Sequence, residues 1–171
     1  MNNHRSPVGR PAPDGRPSAG LPGAHELAMA LRIAYMTMHR RANADFAPFG
    51  LNADQFILLT TLAEGEGMIQ KELVRRTGSD PNTMSSMLAR LERDGLVERQ
   101  RHAEDGRAWV VRLSARGREV HRRAWEGNPE FREEMEGLFS PAMRKSLIGL
   151  LGRIARAMES SGRTDAVRGA G

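Results

Sequence analysis

Apolar residues recur at helical spacing through most of the chain, which predicts a mainly α-helical protein. The first predicted helix covers residues 24–46 and is apolar on several faces. One face carries Leu27, Leu31, Ala34, Tyr35 and Met38, and other faces carry Met29, Ile33 and Met36. A helix of this kind must be covered on several sides. Either the core of this short chain or a partner subunit provides that cover.

Two shorter helices are predicted next. Residues 48–52 interrupt the first helix, and Asn52 with Gln55 has the spacing of a capping box that opens the second. The second helix is expected to end near Gly65. A third covers residues 69–77 and ends at Gly78.

Residues 79–95 contain the most informative helix. Ser79 or Asp80 is its N-cap, and Pro81 occupies the first helical position, where a missing N–H costs nothing. Its buried stripe is Met84, Met87, Leu88 and Leu91. The opposite face carries Asn82, Ser85, Ser86, Ala89, Arg90 and Arg93. A solvated face usually carries long Glu and Lys side chains, whereas this one is slim at its N-terminus and typical of a helix that enters a groove.

The pattern then changes to strands. Residues 96–113 predict a β-hairpin whose turn contains Asp105-Gly106. Ser114 caps a long helix that residues 127–129 must break, and a last helix begins at Ser140-Pro141. The order of helix, helix, groove-sized helix and hairpin is that of a winged helix-turn-helix, a mainly α fold with a small β-hairpin wing.

This order places candidate DNA contacts on the fourth helix and the hairpin. On the helix they are Asn82, Thr83, Ser85, Ser86 and Arg90. On the hairpin they are Arg101, His102 and Arg107. Arg90 suits guanine O6 and N7, and Asn82 suits adenine N6 and N7. Arginine in a narrow minor groove reads the shape of the DNA.

Charge is concentrated in one part of the chain. The 171 residues carry a net charge of +5. Residues 66–123 hold 13 basic and nine acidic side chains, whereas the segments 25–65 and 124–162 are slightly acidic. Most of the remaining positive charge lies in the terminal segments. The middle third is therefore where a polyanion is expected to bind.

Several function classes are excluded. The chain has no cysteine, which removes disulfides, thiolate catalysis and cysteine-based redox sensing. It has no Gly-rich phosphate loop and no His-Glu-x-x-His motif. We therefore expect no enzyme activity, no cofactor and no metal site. With no apolar run of bilayer length and no signal-like N-terminus, a soluble cytoplasmic protein is expected.

Five stretches together resemble the MarR-type transcriptional regulators. They are residues 49–56 (FGLNADQF), 69–73 (IQKEL), 80–85 (DPNTMS), 91–99 (LERDGLVER) and 105–117 (DGRAWVVRLSARG). The last corresponds to the family's wing signature, with serine in place of threonine at position 114. The likeness covers about residues 25–160.

The resemblance implies a homodimer that binds a pseudo-palindromic operator. The implied organisation is a disordered tail at residues 1–24, a dimerisation helix at 25–50, a DNA-binding domain at 51–113, C-terminal dimerisation helices at 114–161 and a flexible tail at 162–171. It also implies that Asp105 shapes the wing and that Arg107 reaches the minor groove. The full predicted DNA-binding set is Gln70, Lys71, Pro81, Asn82, Thr83, Ser85, Ser86, Arg90, Arg101, Asp105 and Arg107.

Family members that have a ligand pocket place it between the dimerisation helices and the DNA-binding lobe. The residues of this chain that would line it are Met36, His39, Arg40, Phe56, His121 and Trp125, for a small aromatic or lipophilic effector. The sequence favours ordinary helix-surface or interface roles for His39 and His121, and packing against neighbouring elements for Trp109 and Trp125, over contact with an effector. The sequence thus favours a DNA-binding regulator. The form expected is a repressor that a small-molecule effector releases from DNA. The alternative is a winged-helix module that binds another protein without a specific operator.

Overall fold

The computed structural model describes residues 22–101 and 109–168 of the chain, with side chains for residues 23–101 and 109–159. This part of the chain contains seven α-helices and three β-strands. The helices are α1 Pro22–Phe46, α2 Ala53–Ala63, α3 Gln70–Thr77, α4 Pro81–Arg93, α5 Ala115–Glu126, α6 Pro129–Gly137 and α7 Pro141–Arg168. The strands are β1 Met68–Ile69, β2 Val97–Arg101 and β3 Trp109–Leu113.

The chain divides into two units within α1. The first unit ends at Arg40 and the second begins at Arg41. In the first unit, no side chain between residues 23 and 40 is buried. The apolar residues Leu27, Ile33 and Tyr35 are each more than half exposed.

The core of the second unit lies between α2, α3, α4 and one face of the sheet. Its largest fully buried side chains are Leu58, Leu59, Leu62, Leu73, Met84, Leu88, Leu91, Val97 and Val111. The predicted apolar stripe of α4 is confirmed, since Met84, Leu88 and Leu91 are fully buried and Met87 packs against them half-buried. Burial of one face fixes which face of α4 is left to solvent.

The start of α2 is held by the predicted capping box. The Asn52 side chain accepts a hydrogen bond from the Gln55 N–H at 2.8 Å, and the Gln55 side chain accepts one from the Asn52 N–H at 2.9 Å. The Ala53 N–H donates to the Asn43 side chain at 2.8 Å. The ring of Phe46 stacks on that of Phe56 at 3.8 Å between centroids. The last turns of α1 are thereby fixed to α2.

The sheet contains a strand that the sequence pattern did not predict. The strand order is β1-β3-β2 with antiparallel pairing, and Ile69 pairs with Val110. Ile69 was predicted to begin the third helix, but it lies in β1 and directly precedes α3. Two residues are too few to show an alternating pattern. Gly67, which leads into β1, has φ +141°, and a Cβ there would lie 2.6 Å from Cγ of Arg112.

Ser114 joins α5 to the turn that follows α4. Its hydroxyl donates to the carbonyl of Gly95 at 2.6 Å and accepts from the N–H of Gly117 at 2.9 Å. Its backbone N–H donates to the carbonyl of Leu96 at 3.1 Å. The helix approaches so closely that a Cβ on Gly117 would lie 1.9 Å from the Leu96 oxygen. Only glycine fits at position 117.

The helix boundaries differ from the predicted ones at the two ends. The first helix begins at Pro22, inside the predicted tail, because proline is well suited to the first helical position. The last helix continues to Arg168, past residue 162, where the flexible tail was predicted to begin. Extending an existing helix costs little free energy, because each added residue forms one further hydrogen bond. The predicted break at residues 127–129 is confirmed, because α5 ends at Glu126 and α6 begins at Pro129. None of the described helices is both long and apolar enough to cross a membrane.

Replacing Gly117 with alanine should destabilise the protein by about 2 kcal/mol or more, because the added methyl group must displace the Leu96 carbonyl. The matched control is Gly137→Ala in α6, where a Cβ has no heavy atom within 4 Å. That change should be neutral or stabilise by up to about 1 kcal/mol, since alanine favours the helix. Urea unfolding monitored by circular dichroism gives both values. Equal effects of the two substitutions would contradict the close contact.

Candidate nucleic-acid interface

The turn between α3 and α4 is held by a glycine and a capping aspartate. Gly78 has φ +66° and ends α3. The Asp80 side chain accepts hydrogen bonds from the N–H groups of Asn82 at 3.0 Å and Thr83 at 2.9 Å. Hydrogen bonds from Thr83 and Asn82 lower the pKa of the Asp80 carboxyl. Of the two predicted caps, Asp80 is therefore the one used. A DNA phosphate near this end would meet side chains, because these two N–H groups are already bonded.

The face of α4 opposite the core is exposed along its length. All the candidate contacts on this helix are exposed: Pro81, Asn82, Thr83, Ser85, Ser86 and Arg90. The first two turns present only short side chains, and arginines follow. Arg90 lies 3.9 Å from the Asp94 carboxylate, a long ion pair between two exposed groups. Such a pair holds its arginine weakly.

The first turn of α3 brings two further predicted residues to the surface. Lys71 is exposed and Gln70 is half-buried. The arginines at the other end of α3 are already bound, since Arg75 and Arg76 both donate to Glu72. These hydrogen bonds lower the pKa of Glu72 to about 2. Arg76 also donates to Glu64 at 2.9 Å, which connects α3 to the end of α2. Because these arginines pair with carboxylates of the same chain, a basic stretch of sequence does not by itself identify residues that contact DNA.

The base of the hairpin is fixed to α4 by an ion pair. Arg99 in β2 donates from Nε to Oε2 of Glu92 in α4 at 2.8 Å. The next residue on the same face of β2 is Arg101, whose cross-strand partner is Trp109. The guanidinium carbon of Arg101 lies 4.5 Å from the centroid of the Trp109 ring. Trp109 is 41% exposed.

Asp105 and Arg107, together with His102, lie outside the described residues. Their roles at the turn and in the minor groove stay predictions. Sequence reasoning treated Trp109 as a packing residue. The register that places it beside Arg101 could have been read from the alternation of β2 and β3 around the predicted turn.

Three of the predicted pocket residues come together between α2 and α5. The rings of Phe56 and His121 stack at 5.6 Å between centroids, and the Trp125 ring lies 6.3 Å from each of them. Nε2 of His121 is 3.1 Å from the hydroxyl of Thr60. Burial lowers the pKa of His121. The other three, Met36, His39 and Arg40, lie in the first unit, where the His39 ring is 5.4 Å from that of Tyr35.

Two cavities adjoin this aromatic group. One of about 320 Å³ is lined by Thr60, Ala63, Glu64, His121, Arg122 and Trp125. A second of about 630 Å³ is lined by Leu62, Ala63, Gly65, Glu66, Glu98, Gln100, Arg112, Leu113, Arg118 and His121. His121 lies in both linings. Within the described ranges, no group of three or more acidic or histidine side chains is arranged to hold a metal ion.

Comparison with known proteins identifies the family. The model of the MarR family matches residues 49–108, which include α2, β1, α3, α4 and β2. The transcriptional regulator HosA of Escherichia coli O157:H7 is 30% identical over 101 residues, which cover 59% of this chain and 75% of HosA. An HTH-type transcriptional repressor of Mycobacterium tuberculosis is 34% identical over 82 residues, or 48% of this chain. The chain spans 59% of the length of that repressor.

A solved structure shows the same fold. The transcriptional regulator MOSR of Mycobacterium tuberculosis, in complex with DNA, superposes with a TM-score of 0.66 at 26% sequence identity. The match covers 77% of this chain and 96% of that one. The relatives are regulators of transcription rather than enzymes. The chain belongs to the MarR family of transcriptional regulators and has their winged helix-turn-helix fold.

Proposed function

We propose that this protein is a cytoplasmic transcriptional repressor that binds a pseudo-palindromic DNA operator as a homodimer. The observation that carries the proposal is the exposed polar face of α4 beside a hairpin that an ion pair fixes to the same helix. A slim face of this kind fits the major groove. The complex of the MOSR regulator with DNA supports the choice of partner.

The side chains of α4 suit two kinds of contact. Asn82 in the first turn can bond adenine through N6 and N7, and Arg90 two turns later can bond guanine through O6 and N7. Ser85 and Ser86 lie between them and suit either bases or phosphates. We assign sequence preference to Asn82 and Arg90, and phosphate or minor-groove contact to the wing through Arg101 and Arg107.

A second copy of the chain is proposed to cover the exposed apolar residues of α1 and α7. In the first unit these residues are Leu27, Met29, Ile33, Tyr35, Met36 and Met38. In α7 they include Met143, Ile148, Leu150, Leu151 and Met158. Exposed apolar surface on this scale is typical of an interface. Two-fold symmetry would then place two copies of α4 about 34 Å apart, one helical turn of DNA.

Leu150→Glu should weaken the dimer at least tenfold, because an unpaired carboxylate would have to be buried in the interface. Leu150 is 53% exposed in one chain, so the folded subunit itself should tolerate the change. The control is Lys145→Glu, five residues earlier and about 140° round the same helix. Light scattering should give twice the 18.9 kDa mass of one chain for the control and the wild type. A wild-type protein of single-chain mass at micromolar concentration would contradict the homodimer.

DNA binding should weaken steeply with salt, because each neutralised phosphate contributes about −0.9 to the slope of log affinity against log salt. A preferred duplex would be selected by the wild-type protein from random sequences, and its affinity measured by fluorescence anisotropy. Arg107→Ala should weaken binding to all sequences alike and reduce the slope by about 0.9. Asn82→Ala and Arg90→Ala should each reduce the preference for one base by about 1 to 3 kcal/mol.

These variants separate the two candidate functions. A module that binds only another protein would select no duplex and would show no salt-dependent DNA affinity. Wild-type affinity in Arg107→Ala would falsify the wing assignment but leave the α4 assignment standing. An unchanged base preference in both Asn82→Ala and Arg90→Ala would contradict direct readout by α4.

We also propose that a small aromatic effector binds beside His121 and releases the DNA. The rings of Phe56 and Trp125 are nearly parallel, with an angle of 16° between their planes, and they offer flat apolar surfaces. His121 lines both neighbouring cavities. A planar aromatic ligand has the shape to stack against such rings. The contact of His121 with Thr60 spans α2 and α5, so a ligand that displaces it would alter the packing of these helices.

Trp125 should report this binding. In a Trp109→Phe variant it is the sole tryptophan, since the chain contains two. Titration with planar aromatic compounds such as benzoate or 2-naphthoate should quench its fluorescence and weaken DNA binding in parallel. His121→Ala should weaken the affinity for the aromatic compound at least threefold. Its affinity for DNA in the absence of that compound should equal that of the wild type. Quenching that leaves DNA affinity unchanged would contradict effector release.

A further inference from the structure

We propose that the cavity of about 630 Å³ beside the sheet binds a small zwitterion, an amino acid or dipeptide with an apolar side chain. Three parts of the second unit form this cavity: the end of α2 with the segment that leads to β1, the strands β2 and β3, and the first two turns of α5. Its volume lies in the range of small-molecule pockets. The site differs from the ring surfaces proposed for an aromatic effector, although His121 borders both, and its occupation does not depend on DNA binding.

The walls of the cavity carry charges of both signs. Arg112 in β3 and Arg118 in α5 are positive, and Glu66 before β1 and Glu98 in β2 are negative. A simple anion would be attracted by two of these groups and repelled by the other two, and the same holds for a simple cation. A molecule with one carboxylate and one ammonium group gains from both pairs. The charge set therefore selects a zwitterion.

The opposite charges of the cavity do not neutralise one another. Glu98 and Arg112 are cross-strand partners, a position in which opposite charges ordinarily attract each other. Among the residues that the structure describes, however, the side chains of Glu66, Glu98 and Arg112 form no ion pair or hydrogen bond. A ligand can therefore bind these charges without breaking an existing ion pair.

Gly67 gives the Arg112 side chain its place beside the cavity. A Cβ at position 67 would lie 2.6 Å from Cγ and 2.9 Å from Nε of Arg112. The φ of Gly67 is +141°, a value that residues with a side chain rarely adopt. The Arg112 side chain thus packs on the backbone of Gly67, which limits the positions that its guanidinium can take at the cavity wall.

Arg118 is held by the backbone while most of its donors stay available. Its Nη1 donates to the carbonyl of Leu113 at 2.8 Å. A guanidinium has five N–H donors, so the remaining ones can bind a carboxylate. The buried side chains of Leu62 and Leu113 also line the cavity and add an apolar surface. A ligand with an apolar side chain beside its charged groups matches this lining.

A simpler account is that the four exposed charges only keep this surface solvated. The two accounts differ in what they predict for ligands that carry one charge or two. Solvated side chains would bind no amino acid, and a site for a simple anion would bind any carboxylate equally well. A zwitterion site requires both charged ends of the same molecule.

The test is isothermal titration calorimetry of the full-length protein with L-leucine and with L-leucyl-L-leucine. Either compound should bind with its two free ends, and the tighter of the two identifies the amino acid or the dipeptide as the ligand class. Its N-acetyl form lacks the ammonium group and its C-terminal amide lacks the carboxylate. Each blocked form should bind at least about tenfold more weakly, because one pair of charges in the cavity is left without a partner.

Substitutions assign the two ends of the ligand. Arg112→Gln should weaken the zwitterion about tenfold and largely abolish the difference between it and its amide. Glu98→Gln should reduce the difference between the zwitterion and its N-acetyl form in the same way. Gly67→Ala should act like Arg112→Gln, since a Cβ there displaces the arginine. The control is Arg116→Gln, which removes an exposed arginine from the first turn of α5 that does not line the cavity.

Thermal unfolding of every variant identifies any loss of folded protein. The proposal is overturned if neither zwitterion binds at millimolar concentration. It is also overturned if a blocked form binds as tightly as the zwitterion, since the cavity is then a site for a simple anion or cation. Equal effects of Arg112→Gln and Arg116→Gln would show that binding occurs elsewhere. A protein that binds the zwitterion but no DNA would contradict the proposed function and leave this site standing.

Discussion

The close approach of α5 to the turn after α4 is the constraint on which the DNA-binding surface depends. Ser114 bonds the carbonyl of Gly95 and the N–H of Gly117, and position 117 has no room for a Cβ. Since Ser114 directly follows β3, one set of contacts fixes the end of α4, the end of the sheet and the start of α5. The ion pair from Glu92 to Arg99 adds a second link between α4 and β2. Helix α4 and the base of the hairpin are therefore held as one body.

This constraint also gives α5 a connecting role. One end of the helix holds the turn after α4, and His121, seven residues after Ser114, contacts Thr60 on α2. Trp125 follows one turn later, beside Phe56. A ligand that moved α5 relative to α2 would act on the same helix that sets the position of the α4 turn. The geometry thus offers a short mechanical path from the proposed effector site to the proposed DNA surface.

Local patterns predicted the elements that local chemistry determines. The capping pair Asn52 and Gln55, the cap at Asp80 and the stripe of α4 each lie within a few residues of sequence, and each is confirmed. Strand β1 was missed because its two residues are ordered by pairing with β3, about 40 positions away. The role of Gly117 was equally hidden, since its reason is a carbonyl on another element. The exposed polar face of α4 could be predicted, whereas the contacts that orient it could not.

Pairing within the protein changes what the basic middle third implies. Residues 66–123 carry 13 basic side chains, but Arg75, Arg76, Arg99 and Arg122 each bind a carboxylate of the same chain. The paired carboxylates largely cancel the attraction that these positive charges would exert on a distant phosphate. Among the candidate contacts that the structure describes, Arg90 lies on the exposed face of α4 and Arg101 lies in β2 at the wing. Recognition then depends on where each guanidinium is held as well as on the number of positive charges.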